Sequence, residues 1–348
     1  VTTAFGVRAV VSGIGAALPR RVVTNAELAA YLDTTDAWIR SRTGIASRRW
    51  VTAGTATADL AAAAGRRALA CAGTDAVDAV VLATATPDHP VPATAPEVAT
   101  RLGLSGVAAF DIAAVCSGFV YGLATAAGML AGGDFRRVLL IGADTYSTIV
   151  DPKDRTTAVI FGDGAGAVVL RAGDAAESGA LGPCDLGSDG RLADLGMIPA
   201  GGSRQRSANV TAVAEDHYFQ MRGNDMYRNA VQRMSESAGR ALERAGWTVA
   251  DVDRFVPHQA NARIATAVAE RLGLTAGQPL SNIEHVGNTA AASIPLLLAQ
   301  AHADGRLRPG DRALVAAFGS GATWGATTLV WPDLPADGEP DFDLTDGE

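Results

Sequence analysis

Lysine is nearly missing from this chain. Of 29 basic residues only Lys153 is a lysine, and the formal net charge is −8. That balance argues against a general nucleic-acid binder. Arginine does suit bidentate phosphate contacts, but its excess here is read as genome base composition. Cysteine is scarce too. Cys71, Cys116 and Cys184 form neither a metal-ligand spacing nor an even disulfide set, which points to a reducing cytoplasm. No apolar run approaches the roughly 20 residues that span a bilayer. The start, VTTAFGVRAVV, lacks the order of a secretory signal. The glycine-rich FGDGAGAVVL (161–170) is followed by a strand pattern, whereas a dinucleotide-binding loop is preceded by one and opens a helix, so nucleotide binding of that kind is excluded.

The 348 residues are 48% hydrophobic and 19% charged, enough for one large domain or two of ordinary size. The chain also repeats itself. Residues 66–82 (RRALACAGTDAVDAVVL) and 239–256 (GRALERAGWTVADVDRFV) share a helix pattern, a Gly stop, a Val-Asp pair and a strand run. ATRLGL (99–104) answers AERLGL (269–274), and RRVLLIGA (136–143) answers DRALVAAFG (311–319). Strand runs alternate with helical ones, which implies a duplicated, largely parallel α/β arrangement. The copies divide near 171–185, giving halves at 1–182 and 183–335. The Gly/Ser/Asp/Arg-rich stretch 186–217 reads as a functional or mobile excursion. The acidic end from 332, with 336–348 as its tail proper, reads as disordered.

At a matched point each copy offers a different chemical group: Cys116 in AAVCSGF and Asn288 in HVGNTAA, each before a small-residue helical stretch. A cysteine entering a helix sits at the positive end of the dipole, which lowers a thiol pKa. The plainer reading of a lone cysteine is an inert, buried apolar residue, and Cys71 and Cys184 are given it. His258 follows the strand run DRFV, where a side chain projects into a crevice. Taken alone it is as readily a structural histidine. Asn288 taken alone is a helix cap. His285, near Asn288 in sequence, is a candidate supporting side chain. FGSGATWG (318–325) closes a strand, and its glycines admit a backbone oxyanion hole or a tight turn.

Together AAVCSGF, PHQANARI, GNTAAASIP and FGSGATWG, with DAWIRSRTGI (36–45) and DPKDRTTAVIFGDGAGA (151–167), resemble the ketoacyl-ACP synthase III family of the thiolase superfamily over about residues 7–331. The resemblance implies a five-layered αβαβα fold of two pseudo-symmetric halves. It maps the catalytic groups to Cys116, His258 and Asn288. Elongating ketosynthases use Cys with two His, and thiolases a second Cys, so the asparagine excludes both. The oxyanion donors would be the backbone N–H groups of Cys116 and Ser320, where serine replaces a common glycine. Trp38, Arg42 and Arg155 would contact coenzyme A, and Asn261 and Arg263 the pantetheine entrance. Val91, in TPDHPVP (86–92), stands where many relatives have Phe. It would reach the partner subunit's acyl pocket in a homodimer and leave room for primers larger than acetyl.

The implied reaction is a ping-pong decarboxylative Claisen condensation of an acyl-CoA primer with malonyl-ACP through acyl-Cys116, without metal or resident cofactor. It would initiate fatty-acid or aromatic polyketide synthesis. Arg222, Arg228, Arg233 and Arg263 are candidates for a basic rim that meets the acidic carrier protein. The rival readings are acyl transfer to oxygen or nitrogen without decarboxylation, and a non-catalytic partner subunit.

Overall fold

The computed structural model describes residues 7–335, so the acidic tail at 336–348 lies outside the described residues. Two mixed sheets form its frame. In the first the order is Val7–Ala17, Asp163–Asp174, Arg137–Thr145, Ala79–Ala83, Ala108–Ile112. In the second it is Asp185–Ser188, Thr323–Val330, Arg312–Gly319, Arg254–Pro257. A further parallel bridge joins Phe255 to Pro279, in the place that Ala108–Ile112 takes in the first sheet. The same order of pairings therefore occurs twice.

The expectation of a largely parallel arrangement holds for only part of each sheet. Ala79–Ala83 runs parallel to both of its neighbours, and Arg254–Pro257 is parallel to Arg312–Gly319. The remaining ladders are antiparallel. Parallel neighbours need a crossover connection. Arg312–Gly319 and Thr323–Val330 are joined by a tight turn, so that pair can only be antiparallel.

Side-chain alternation along the strands builds the layers. Val80, Leu82, Leu139 and Ile141 pack on the outer helix Thr57–Cys71. Ala79, Val81, Val138 and Leu140 face inward, onto the central helices Gly118–Ala131 and Ser293–Ala303. From the second sheet Ala313, Val315 and Ala317 meet those same helices. Leu314, Ala316 and Phe318 face the outer helices Gly223–Ala245 and Ala262–Leu272. The result is five layers: helices, sheet, helices, sheet, helices. The glycines of 161–170 serve this packing: a Cβ on Gly166 would lie 2.6 Å from the backbone nitrogen of Leu296.

The stretch 186–217 is not a bare loop. It carries a 3-10 turn at Gly190–Leu195 and a helix at Ser203–Ser207, and Gly196–Met197 pairs with Gln220–Met221. The strand it pairs with contributes Met221 to the cavity described next. Among the described residues no helix is long and apolar enough to cross a membrane.

Candidate active site

A cavity of about 380 Å³ opens between the halves, and Cys116, His258, Asn288 and Ser320 all line it. Cys116 lies in the 3-10 turn Val115–Ser117 that runs into Gly118–Ala131. Val115 takes φ +46°, a left-handed conformation costly for a β-branched residue. The end of a second-sheet strand presses on this turn: a Cβ on Gly319 would lie 2.9 Å from the Cys116 nitrogen, so only glycine allows the approach. The Ser117 hydroxyl donates to the Ala114 carbonyl at 2.9 Å and bonds Thr323 Oγ1 at 2.8 Å, which fixes the turn.

The thiol corrects a sequence expectation. Burial, and next the charge of Asp144, push the Cys116 pKa well up, and the residue's own backbone N–H pulls it down by less. Helix entry does favour the thiolate, but desolvation outweighs it, so the resting group is a thiol. Asp144 is fully buried, and burial raises its own pKa to about 6. Its oxygens accept from Thr84 Oγ1, the Ala85 nitrogen, Thr86 Oγ1 and the Ala291 nitrogen at 2.7–3.2 Å.

The matched point is offset. In the second half the counterpart of Val115 is Ala290, at φ +47°, which heads the 3-10 turn Ala290–Ala292 before Ser293–Ala303. Cys116 thus corresponds to Ala291, and Asn288 precedes the turn. The Asn288 backbone is clamped to the first half: its N–H donates to the Ile160 carbonyl, and its carbonyl accepts from Gly162, both at 2.9 Å. Its side chain meets the start of the turn, with Oδ1 accepting from the Ala290 N–H at 2.9 Å. Asn288 is not the helix cap itself, since Thr289 holds that position, but the bond orients its amide: Nδ2 has no hydrogen-bond partner among the described residues.

His258 ends the strand Arg254–Pro257 and donates its N–H to the Ala316 carbonyl at 2.8 Å. Burial lowers its pKa to about 3, so the ring is neutral. Nδ1 lies 2.6 Å from the Ser293 oxygen, which also accepts from the Gln259 N–H at 3.4 Å. The arrangement that satisfies all three groups has the Ser293 hydroxyl donating to Nδ1. The ring proton is then assigned to Nε2. Ser293 stood in the GNTAAASIP motif, but its role depends on a contact across 35 positions.

Trp38, Arg42, Asn261 and Arg263 line the same cavity. Arg155 does not; it lies over the Trp38 ring at 5.5 Å and donates to the Asp33 carbonyl at 2.7 Å. Asn261 is largely spent on structure: Oδ1 caps Ala262–Leu272 and Nδ2 donates to the Arg42 carbonyl. His285 is not at the site; it is 75% exposed, beside Glu284. Arg222 and Arg228 share Asp225, and Arg233 packs over Trp324 at 4.7 Å. Arg263 has no carboxylate partner among the described residues and lies over Tyr227. Val91 is 84% exposed in the single chain. Sequence reasoning missed the inner wall of Tyr146, Phe161, Phe219 and Met221. Position at the end of a strand was the available signal for Tyr146.

A cysteine, a histidine and an asparagine thus line one cavity in a duplicated five-layer fold. The family described as 3-oxoacyl-(acyl-carrier-protein) synthase III matches residues 110–190, and its C-terminal counterpart matches 242–331. Beta-ketoacyl-(acyl-carrier-protein) synthase III 5 of Streptomyces coelicolor is 60% identical over 94% of this chain and 98% of its own length. The crystal structure of 3-oxoacyl-(acyl carrier protein) synthase III from Pseudomonas aeruginosa PAO1 is 50% identical, covers 94% of this chain and 99% of its own, and superposes with a TM-score of 0.88. The priming beta-ketosynthase of the R1128 polyketide pathway is 34% identical, covers 94% and 97%, and gives a TM-score of 0.87. The chain belongs to the beta-ketoacyl-(acyl-carrier-protein) synthase III family and has its thiolase-like fold.

Proposed function

We propose that the protein condenses an acyl-CoA primer with malonyl-ACP, releasing carbon dioxide and coenzyme A and giving 3-oxoacyl-ACP. The observation that carries this reading is one cavity lined by Cys116 from the first half (1–182) and by His258 and Asn288 from the second (183–335). In the first half-reaction Cys116 Sγ bonds to the thioester carbonyl carbon. The bond to the coenzyme A sulfur breaks, and that sulfur leaves with the thiol proton. The backbone N–H groups of Cys116 and Ser320 hold the developing oxyanion, and such a donor is worth about 3–4 kcal/mol. The helix start favours the negative charge passing through sulfur.

In the second half-reaction the malonyl carboxylate leaves as carbon dioxide. The electron pair becomes an enolate whose oxygen accepts from His258 Nε2 and Asn288 Nδ2. Two neutral donors suit this step because a charged base would repel both malonyl and enolate. The carbanion then attacks the acyl carbonyl on Cys116 and displaces the sulfur, which takes up a proton from water to restore the resting thiol. Acyl transfer to oxygen or nitrogen gives these two donors no comparable task.

Coenzyme A enters past Trp38 and Arg42, with Arg155 bracing Trp38, and its pantetheine arm passes Asn261 and Arg263. We assign the carrier protein's docking chiefly to Arg263, because Arg222 and Arg228 are paired with acids and Arg233 is packed away. A second copy of the chain would cover the exposed Val91 in a homodimer. The three free cysteines favour a reducing cytoplasm. Intact-protein mass spectrometry after mixing with butyryl-CoA tests the nucleophile. Wild type gains one butyryl group, lost in the Cys116→Ala variant; an unchanged adduct in that variant would rule the nucleophile out.

A further inference from the structure

Tyr146 opens the 3-10 turn Tyr146–Thr148 at the end of the strand Arg137–Thr145. It is 2% exposed and lines the cavity that holds Cys116. Its ring is locked. It stacks on Phe161 with centroids 4.4 Å apart and planes 18° apart, and meets Phe219 edge-on at 5.4 Å. Rotation of the phenol out of this wall would collide with both rings. The hydroxyl nevertheless has no hydrogen-bond partner among the described residues. The buried hydroxyls nearby are all paired: Thr57 to the Thr86 carbonyl, Thr84 and Thr86 to Asp144, and Ser117 to the Ala114 carbonyl.

The Tyr146 side chain is buried, but its oxygen is not sealed off: it opens on the cavity, where it is free to pair with a bound molecule. The neighbouring wall of Phe161, Phe219 and Met221 is carbon and sulfur, so the hydroxyl is a fixed polar point within an apolar patch of the cavity. We propose that Tyr146 is a specificity-determining residue and that the primer is a short acyl group carrying a neutral oxygen, hydroxyl or carbonyl, beyond the thioester. Burial and the carboxylate of Asp144, two residues away, disfavour a charged group in the same place. A site built to pair a substrate oxygen discriminates against the analogue without it, because its own donor is then left orphaned. This inference rests on the reading of Cys116 as the acyl acceptor.

The test uses the full-length protein and its Tyr146→Phe variant. Each is offered butyryl-CoA mixed in equal amounts with 3-hydroxybutyryl-CoA or, separately, with 4-hydroxybutyryl-CoA. The adducts, which differ by one oxygen, are counted by intact mass. In wild type at least one hydroxyacyl probe outcompetes butyryl by about tenfold, the scale of one buried hydrogen bond, and Tyr146→Phe abolishes that preference while still accepting butyryl. Equal ratios in the two proteins with both probes overturn the proposal alone. The absence of any adduct overturns the Cys116 reading, and this inference with it. Because the hydroxyl has no protein partner, Tyr146→Phe should melt no lower than wild type, and a marked drop would also overturn the proposal.

Discussion

Val115 and Ala290 hold the same place in the two halves. Each takes a left-handed backbone conformation at the head of a 3-10 turn that runs into a central helix. In the first half the residue after the strained position is Cys116, held at a helix start. In the second half the equivalent residue is Ala291, whose N–H donates to the buried carboxylate of Asp144 from the first half. The second half instead uses Asn288, ahead of the turn, and His258, at the end of a neighbouring strand. Duplication thus supplied one backbone device twice. One copy presents a cysteine thiol, and the other uses its turn to orient an asparagine amide. Strain of about 1–3 kcal/mol at such a position persists where surrounding contacts over-determine it. Here the contacts come from the opposite half in both cases: Gly319 against the Cys116 turn, and Asp144 and Ile160 on the Asn288 side.

The comparison breaks most visibly if a second-half residue proves necessary for acylation. His258→Ala should lower malonyl decarboxylation by about 10²–10³-fold, the usual loss of one oxyanion donor. Stopped-flow release of coenzyme A in the first half-reaction should stay near the parent rate. Comparable losses in both steps would make the histidine a general requirement.

Asp144→Asn probes the link between the turns. An amide leaves one of the four donors facing an N–H₂ group, so stability should fall by about 1–3 kcal/mol in urea denaturation. Because the carboxylate raises the Cys116 pKa, alkylation of the thiol should also begin at lower pH. An unaltered alkylation profile would detach Asp144 from the nucleophile.

Ser293→Ala sharpens the second-half role. It removes the donor that holds the His258 proton on Nε2, and decarboxylation should fall by about tenfold, the scale of one hydrogen bond. Acylation should be spared. Ser293→Thr keeps the hydroxyl and should restore most of the loss.

A further effect falls on the pH dependence of stability rather than on rate. Folded His258 resists protonation down to about 3, while the unfolded residue takes a proton near 6.5, so the fold loses stability as pH falls through that window. Asp144 and Asp163, both raised to about 6 by burial, act oppositely: the fold binds their protons first and gains stability as pH falls from 6 towards 3.8. In His258→Gln only the carboxylates remain, so urea midpoints between pH 6.5 and 4 should move upward on acidification relative to the parent. Parallel profiles would mean that His258 is not buried in its neutral form.

Much of this was visible in the linear chain. Two copies of a helix–Gly–strand pattern imply two similar sheets, and local periodicity sufficed to read them. Cys116, His258 and Asn288 stood at element ends, where side chains reach a crevice. What escaped depends on contacts between distant segments. Ala291 meets Asp144 across 147 positions, and Phe161 pairs with Asn288 through a bridge between the halves. The offset between Cys116 and Asn288 became visible only from the two positive φ values. The thiol's raised pKa follows from burial, which no local pattern encodes. The Arg222–Asp225–Arg228 cluster shows the same gap for charge: the arginines were legible, but their neutralisation was not.

The division of labour between the halves is tested most directly by measuring both half-reactions in the Asn288→Ala protein. Butyryl transfer from coenzyme A should proceed at close to the parent rate, while release of labelled carbon dioxide from malonyl-ACP should fall by about 10²–10³-fold. An equal fall in both rates would contradict the account.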